Sequence, residues 1–232
     1  MLGTSDYVIW LLCTLAEASV VVCSLIRGSF RKYLALNLYM VGSVAVSVLR
    51  YGVFVSWGYS TRQYAYCYYY SDVLLTIALY FALTSLYAHV FEEKAAARSI
   101  RFTAILLLLG TAAFSLAVVM QSGHRITTRF FVETSQNLNF VGLVLTYILW
   151  GAVFKLRETR TQLIQLVLSL GLYFSLFAAS FALRNLYPPL RDLLQSADPI
   201  IGCVLPVTWA YAFWRVPEDA RLAPARLAVV PR

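Results

Sequence analysis

Two arginines and three carboxylates fall at one depth of five hydrophobic segments: Arg50, Asp72, Glu133, Arg184 and Asp198. Ionisable groups inside apolar segments are costly in lipid and turn towards a bundle interior or a water-filled cavity. Helical phase gathers further polar groups beside them. Ser43 and Ser47 share a face with Arg50, and Tyr69, Thr76 and Tyr80 share one with Asp72. Gln136 and Asn137 accompany Glu133, while Gln165, Ser169 and Tyr173 line up with Arg184. These three- and four-residue spacings make polar stripes on otherwise apolar helices. Opposite charges, hydroxyls and amides at one level can hold a small polar molecule or an ion. They can equally tie helices together, each bond contributing about 0.6–2 kcal/mol.

Glu17 stands apart from that group, near the middle of the first segment with Cys13 and Ser24 on its face. An isolated carboxylate there must be protonated or paired. A proton- or ion-coupled carrier would use such a group, and a structural hydrogen bond to a neighbouring helix would explain it as well. The run Tyr64-Ala-Tyr66-Cys67-Tyr68-Tyr69-Tyr70, with Trp57 and Tyr59, reads as an aromatic belt at one membrane interface. Its sharper reading is a stacking lid next to Asp72. Trp150, Trp209, Tyr211 and Trp214 form the expected belt at the other interface.

Several chemistries find no residues to carry them. A retinal pigment needs a lysine within the bilayer, and Lys32, Lys94 and Lys155 all sit in loops or at their edge. Bis-histidine haem ligation needs two histidines at one depth, whereas His89 and His124 fall at opposite ends of the spans. There is no HExxH pair for a metalloprotease and no histidine deep within a span for a rhomboid-like serine protease. The expectation is a protein without catalytic residues, cofactor or metal.

The elements that must position these groups are seven apolar spans, near residues 6–26, 33–56, 65–91, 102–120, 130–154, 162–187 and 193–214. The chain of 232 residues is 60% hydrophobic and only 13% charged, with mean hydropathy +0.70. Crossing a hydrocarbon core takes roughly 20 apolar residues of helix, and these runs do not alternate as barrel strands would. The fold class is therefore all-α, a polytopic seven-helix bundle over residues 1–216, with residues 217–232 a disordered or surface-lying tail. No loop is long enough to fold alone.

Most of the 19 basic residues sit in alternate loops: Arg27, Arg31 and Lys32; Lys94, Arg98 and Arg101; Lys155, Arg157 and Arg160; and the tail. The positive-inside rule then places the amino terminus outside and the carboxyl terminus in the cytoplasm. The net charge of +8 is explained by topology, without nucleic acid as a partner. The first span follows only a few residues and lacks a basic leader, so it reads as a transmembrane helix rather than a cleaved signal. Cys13, Cys23, Cys67 and Cys203 read as buried free thiols; a Cys67–Cys203 bridge would require spans 3 and 7 to meet at matching depth. Pro199 and Pro206 should kink span 7. A duplicated three-helix arrangement is compatible with the span count, but spans 1–3 and 5–7 show no shared motif.

The stretch from Tyr68-Tyr-Tyr-Ser-Asp72 to Leu86-Tyr-Ala-His-Val-Phe91, followed by Glu92-Glu-Lys94, resembles bacterial seven-helix membrane proteins with no assigned activity. The resemblance implies a bacterial inner-membrane protein and transfers no functional residue. The expected function is a receptor- or sensor-like bundle whose outward-facing pocket uses Arg50, Tyr69, Asp72, Glu133, Asn137, Arg184 and Asp198. Its partners would be the lipid bilayer, a small ligand, and a membrane or cytoplasmic protein that reads its state. The alternatives are a small-solute or ion transporter that also uses Glu17, and a non-catalytic accessory subunit of a larger membrane complex.

Overall fold

The computed structural model describes residues 4–58, 60–91, 97–121, 126–155, 160–187, 189, 191–217 and 220–221. The stretch Glu92–Lys94, His124 and tail residues 222–232 lie outside them. Among the described residues there are seven helices: α1 (Thr4–Ile26), α2 (Leu34–Trp57), α3 (Arg62–Val90), α4 (Ala97–Gln121), α5 (Ile126–Lys155), α6 (Thr161–Leu186) and α7 (Arg191–Arg215). Five of them, α1, α2, α3, α5 and α6, are long and apolar enough to cross a membrane. Large apolar side chains such as Leu12, Leu15, Val48, Leu109 and Ile148 are exposed on the outside of the bundle. Such a surface suits lipid rather than water, and the chain is built as an integral membrane protein.

Local chemistry sets the helix ends. Gly28 takes φ +72° after α1, and the Ser29 N–H donates back to the Ser24 carbonyl at 3.0 Å. Only glycine adopts that left-handed conformation without a Cβ penalty. Gly58 closes α2 in the same region, at φ +79°, and its N–H donates to Phe54 at 2.8 Å. Thr61 then caps α3, its hydroxyl accepting from the Tyr64 N–H at 3.3 Å. α7 runs on through Pro199 and Pro206, each of which removes one N–H from the helix ladder.

Six helices close a ring in the order α1, α2, α3, α5, α6, α7, and back to α1. α4 stands outside it, against α5 and more lightly α3. Advancing three places around this ring maps α1–α2–α3 onto α5–α6–α7, so the helix adjacencies of one half recur in the other. Some residue spacings recur between the halves. Tyr39 precedes Arg50 by eleven residues in α2, and Tyr173 precedes Arg184 by eleven in α6. Leu36, Ala45 and Leu49 correspond to Leu170, Ala179 and Leu183 at the same spacing. Asp72, Leu79, Leu83 and Leu86 of α3 match Asp198, Leu205, Trp209 and Ala212 of α7 in spacing, and the last three of each set are buried. α4 connects the two three-helix groups α1–α3 and α5–α7 in the chain.

The lower half of the ring, at the end away from the start of α1, is a dry core. Val20, Leu36, Met40, Leu83, Leu166 and Trp209 belong to one buried cluster drawn from α1, α2, α3, α6 and α7. Trp209 is fully buried and its indole N–H donates to the Leu166 carbonyl at 3.3 Å. It is thus a core residue, not part of the interfacial belt expected for it; Tyr211 and Trp214 remain exposed. The α5–α6 seam closes over glycines. A Cβ on Gly142 would lie 2.6 Å from the Phe174 ring, and one on Gly171 would overlap Trp150. Small residues let transmembrane helices approach this closely.

The α1–α7 seam carries a covalent tie. Cys13 and Cys203 form a disulfide with Cα atoms 5.2 Å apart, while Cys23 and Cys67 are free. This corrects the reading of four free thiols and the weighed Cys67–Cys203 bridge. Span 7 meets span 1 in the ring, not span 3, so Cys203 finds Cys13.

Candidate functional site

Asp72 is held where α2, α3 and α5 meet. The Ser135 hydroxyl on α5 donates to its Oδ2 at 2.9 Å, and Thr76 lies 3.0 Å from Ser135. Arg50 on α2 approaches from the other side. Its Nε donates to the Ser71 hydroxyl at 2.8 Å and its Nη2 to the Tyr68 carbonyl at 3.1 Å. The guanidinium lies 4.3 Å from the centre of the Tyr68 ring, a cation–π geometry. Arg50 and Asp72 nevertheless stop 4.0 Å apart, beyond hydrogen-bond length. The Asp72 side chain keeps 44% of its surface accessible.

The equivalent pair in the second half is closed. Arg184 at the end of α6 donates from Nη1 to Asp198 Oδ2 at 2.8 Å and from Nη2 to Oδ1 at 3.0 Å. Ser180 adds a third donor to Asp198 at 3.2 Å. A two-pronged guanidinium–carboxylate bond of this kind fixes orientation as well as distance. The two halves therefore present the same Arg–Asp chemistry in two states, one engaged and one parted.

Tyrosines connect the two pairs. Tyr68 is within Coulombic reach of Asp72, Arg50 and Asp198. Tyr173 is within the same reach of Asp72, Asp198, Glu17 and Tyr68, and Tyr39 of Tyr173, Glu17 and Asp72. Tyr39 and Tyr173 are partly buried and pack against the dry core. The two Arg–Asp pairs and these tyrosines make up the polar end of the bundle above that core, and this end is the candidate recess. Glu17 sits at the same level: the Ser43 hydroxyl donates to its Oε1 at 2.6 Å, and its Oε2 is buried without a hydrogen-bond partner. Ser24 leaves Glu17 and instead donates to Asn37 at 2.6 Å.

Two candidates leave the recess. Asn137 donates to Ser115 on α4 at 2.9 Å. Glu133 and Asn137 are one turn apart and each lies two residues from Ser135, about 160° round the helix from it. Ser135 faces Asp72, so Glu133 and Asn137 belong to the side of α5 that meets α4. Tyr69 packs edge-on against Tyr68 at 5.8 Å, and it is Tyr68 that carries Arg50. Sequence reasoning had no means to choose between adjacent tyrosines. It also passed over Ser135 and Ser180, whose signal was only their spacing from charged neighbours, and Tyr39, whose signal was the eleven-residue interval shared with Tyr173.

At the lower end the ring is shut by polar contacts as well as apolar ones. Arg160 donates to the His89 carbonyl at 2.8 Å, His89 stacks on Tyr33 at 5.2 Å, and Arg27 donates to the Trp214 carbonyl at 2.6 Å. Among the described residues no group of three His, Cys, Asp or Glu side chains is placed to hold a metal ion. The arrangement offers binding by charge, hydroxyl and aromatic face at one end of the bundle and a sealed floor at the other. No family model, curated protein or solved structure matches this chain.

Proposed function

We propose that the protein is a carrier for a small polar solute, seated with its recess open to the outside and its sealed half towards the cytoplasm of a bacterial inner membrane. The positive-inside distribution supports that orientation, since the basic loops cluster at the sealed end. The observation that carries the reading is the ring: two three-helix groups, α1–α3 and α5–α7, lie side by side with a packed apolar core at one end and the two Arg–Asp pairs at the other. Paired bundles of this kind are a recurring carrier architecture, in which one rocks against the other around a central site.

Cysteine accessibility tests this directly, with Cys23 and Cys67 replaced by serine. Ser47→Cys, partly buried on the Arg50 face of α2, should react with an impermeant maleimide added outside, and Leu166→Cys should react, in a fraction of molecules, only from the inside. Conditions that protect one position should expose the other. Labelling at Ser47→Cys with Leu166→Cys inert from both sides under all conditions would remove the carrier reading and leave the sensor. The Cys13–Cys203 disulfide bears on the motion: it ties α1 to α7 at one seam between the units. Opening must therefore occur at the other seam, α3–α5, with the α1–α7 seam as hinge.

A further inference from the structure

We infer that the parted Arg50–Asp72 pair is the docking point for a zwitterionic solute that carries a carboxylate and an ammonium a few ångströms apart, as an α-amino acid does. What becomes of the bound solute rests on the carrier reading; its chemical class rests on the pair itself.

A guanidinium has five N–H donors. Nε is used by Ser71 and one Nη2 hydrogen by the Tyr68 carbonyl. Nη2 faces Asp72 at 4.0 Å without bonding to it, and Nη1 has no acceptor among the described residues. Asp72 mirrors this: Oδ2 is taken by Ser135, while Oδ1, the oxygen nearer Arg50, receives no hydrogen bond from the described residues. A charged donor and a charged acceptor are thus side by side, each with unused capacity. Both are anchored from behind by Ser71, Tyr68 and Ser135, so neither must reorganise to be used.

The counterpart in the other half shows that the chemistry can close. Arg184 and Asp198 satisfy each other at 2.8 and 3.0 Å. The Arg50–Asp72 gap is therefore not a property of the residue types. It is set by Tyr68 and Ser71 on one side and Ser135 on the other, which hold the two charges apart.

Charge balance then selects the ligand. Each guanidinium has a carboxylate within 4.0 Å, Asp72 for Arg50 and Asp198 for Arg184, and Glu17 is tied to Ser43. A lone anion on Arg50 would also face the Asp72 carboxylate, and a lone cation on Asp72 would also face the guanidinium, so repulsion offsets part of either attraction. A zwitterion laid antiparallel to the pair meets attraction at both ends. Its carboxylate takes the Nη1 donors, its ammonium takes Oδ1, and its side chain points towards the Tyr68 and Tyr173 rings. A neutral polyol could also bridge the two groups, but it would leave both charges formally unneutralised in a partly desolvated site.

The test uses the full chain in lipid nanodiscs and reads affinity by isothermal calorimetry and by thermal shift. The probes are L-alanine and L-glutamine, their half-analogues propionate and ethylamine, and the polyols erythritol and glucose. At least one amino acid should bind, while propionate and ethylamine should be at least tenfold weaker. Arg50→Gln and Asp72→Asn should each weaken amino-acid binding by at least tenfold. Arg50→Lys, which keeps the charge but loses the fork, should fall between them and the wild type, and Arg31→Gln, at an exposed position between α1 and α2, should change nothing. Polyol binding without amino-acid binding overturns the inference. So does wild-type affinity in the Arg50→Gln and Asp72→Asn variants, or a panel in which nothing binds. Amino-acid binding without uptake into proteoliposomes keeps the zwitterion site and removes the carrier.

Discussion

Replacing Arg184 and Asp198 by alanine, singly and together, and doing the same for Arg50 and Asp72, should separate two ion pairs that have the same residue types. At an effective dielectric of about 20, the raw attraction is about 6 kcal/mol at 2.8 Å and about 4 kcal/mol at 4.0 Å. Distance alone therefore predicts only a modest difference. Hydrogen bonding and exposure decide it. Arg184 and Asp198 are 19% and 29% accessible and share two charge-assisted bonds. Removing either partner strands the other, and desolvation offsets part of the Coulomb gain. A coupling energy of about 2 kcal/mol follows, after discount for residual water. Arg50 and Asp72 share no hydrogen bond, and Asp72 is 44% accessible, so their coupling should be at most about 0.5 kcal/mol. Both cycles can be measured by denaturant-induced unfolding in mixed micelles. Equal coupling energies, or the larger one at Arg50–Asp72, would refute the engaged-and-parted description and the docking point built on it.

Further outcomes are open to simple measurement. Gly171→Ala should destabilise the bundle by about 1–3 kcal/mol, because Trp150 fills the place of the new methyl and must be displaced; Gly110→Ala, with open space around it, should change the unfolding midpoint little. Denatured, unreduced protein should take up two maleimides, at Cys23 and Cys67, and four after reduction; four before reduction would show that Cys13 and Cys203 are not joined. Glu17→Gln keeps an oxygen for the Ser43 hydroxyl, so stability should change by under about 0.5 kcal/mol. If Glu17 couples protons to transport, the same change should abolish pH-gradient-driven uptake while leaving exchange of labelled for unlabelled solute intact.

The sequence by itself determined the number, type and approximate limits of the helices. Spans predicted at 33–56 and 162–187 are helices Leu34–Trp57 and Thr161–Leu186. Apolar length, Gly28 and Gly58 at the turns, and the cost of unsatisfied backbone in lipid are local properties, and each is written in consecutive residues. The same is true of the level at which Arg50, Asp72, Arg184 and Asp198 occur, since a helix converts residue number into depth at a fixed rise.

Only the tertiary structure decided which helices are neighbours, and almost every misplacement follows from that. Cys203 pairs with Cys13 because α7 closes the ring on α1, which no spacing in the chain encodes. Asn137 turns to α4 because α4 stands outside the ring and needs a polar partner on α5. Trp209 is core rather than belt because α7 lies between α6 and α1 with that side inward. The eleven-residue interval shared by Tyr39–Arg50 and Tyr173–Arg184 likewise has no meaning in the chain until the ring brings α2 and α6 to matching places. Depth is a one-dimensional quantity that the chain specifies; adjacency is set by the packing of whole surfaces.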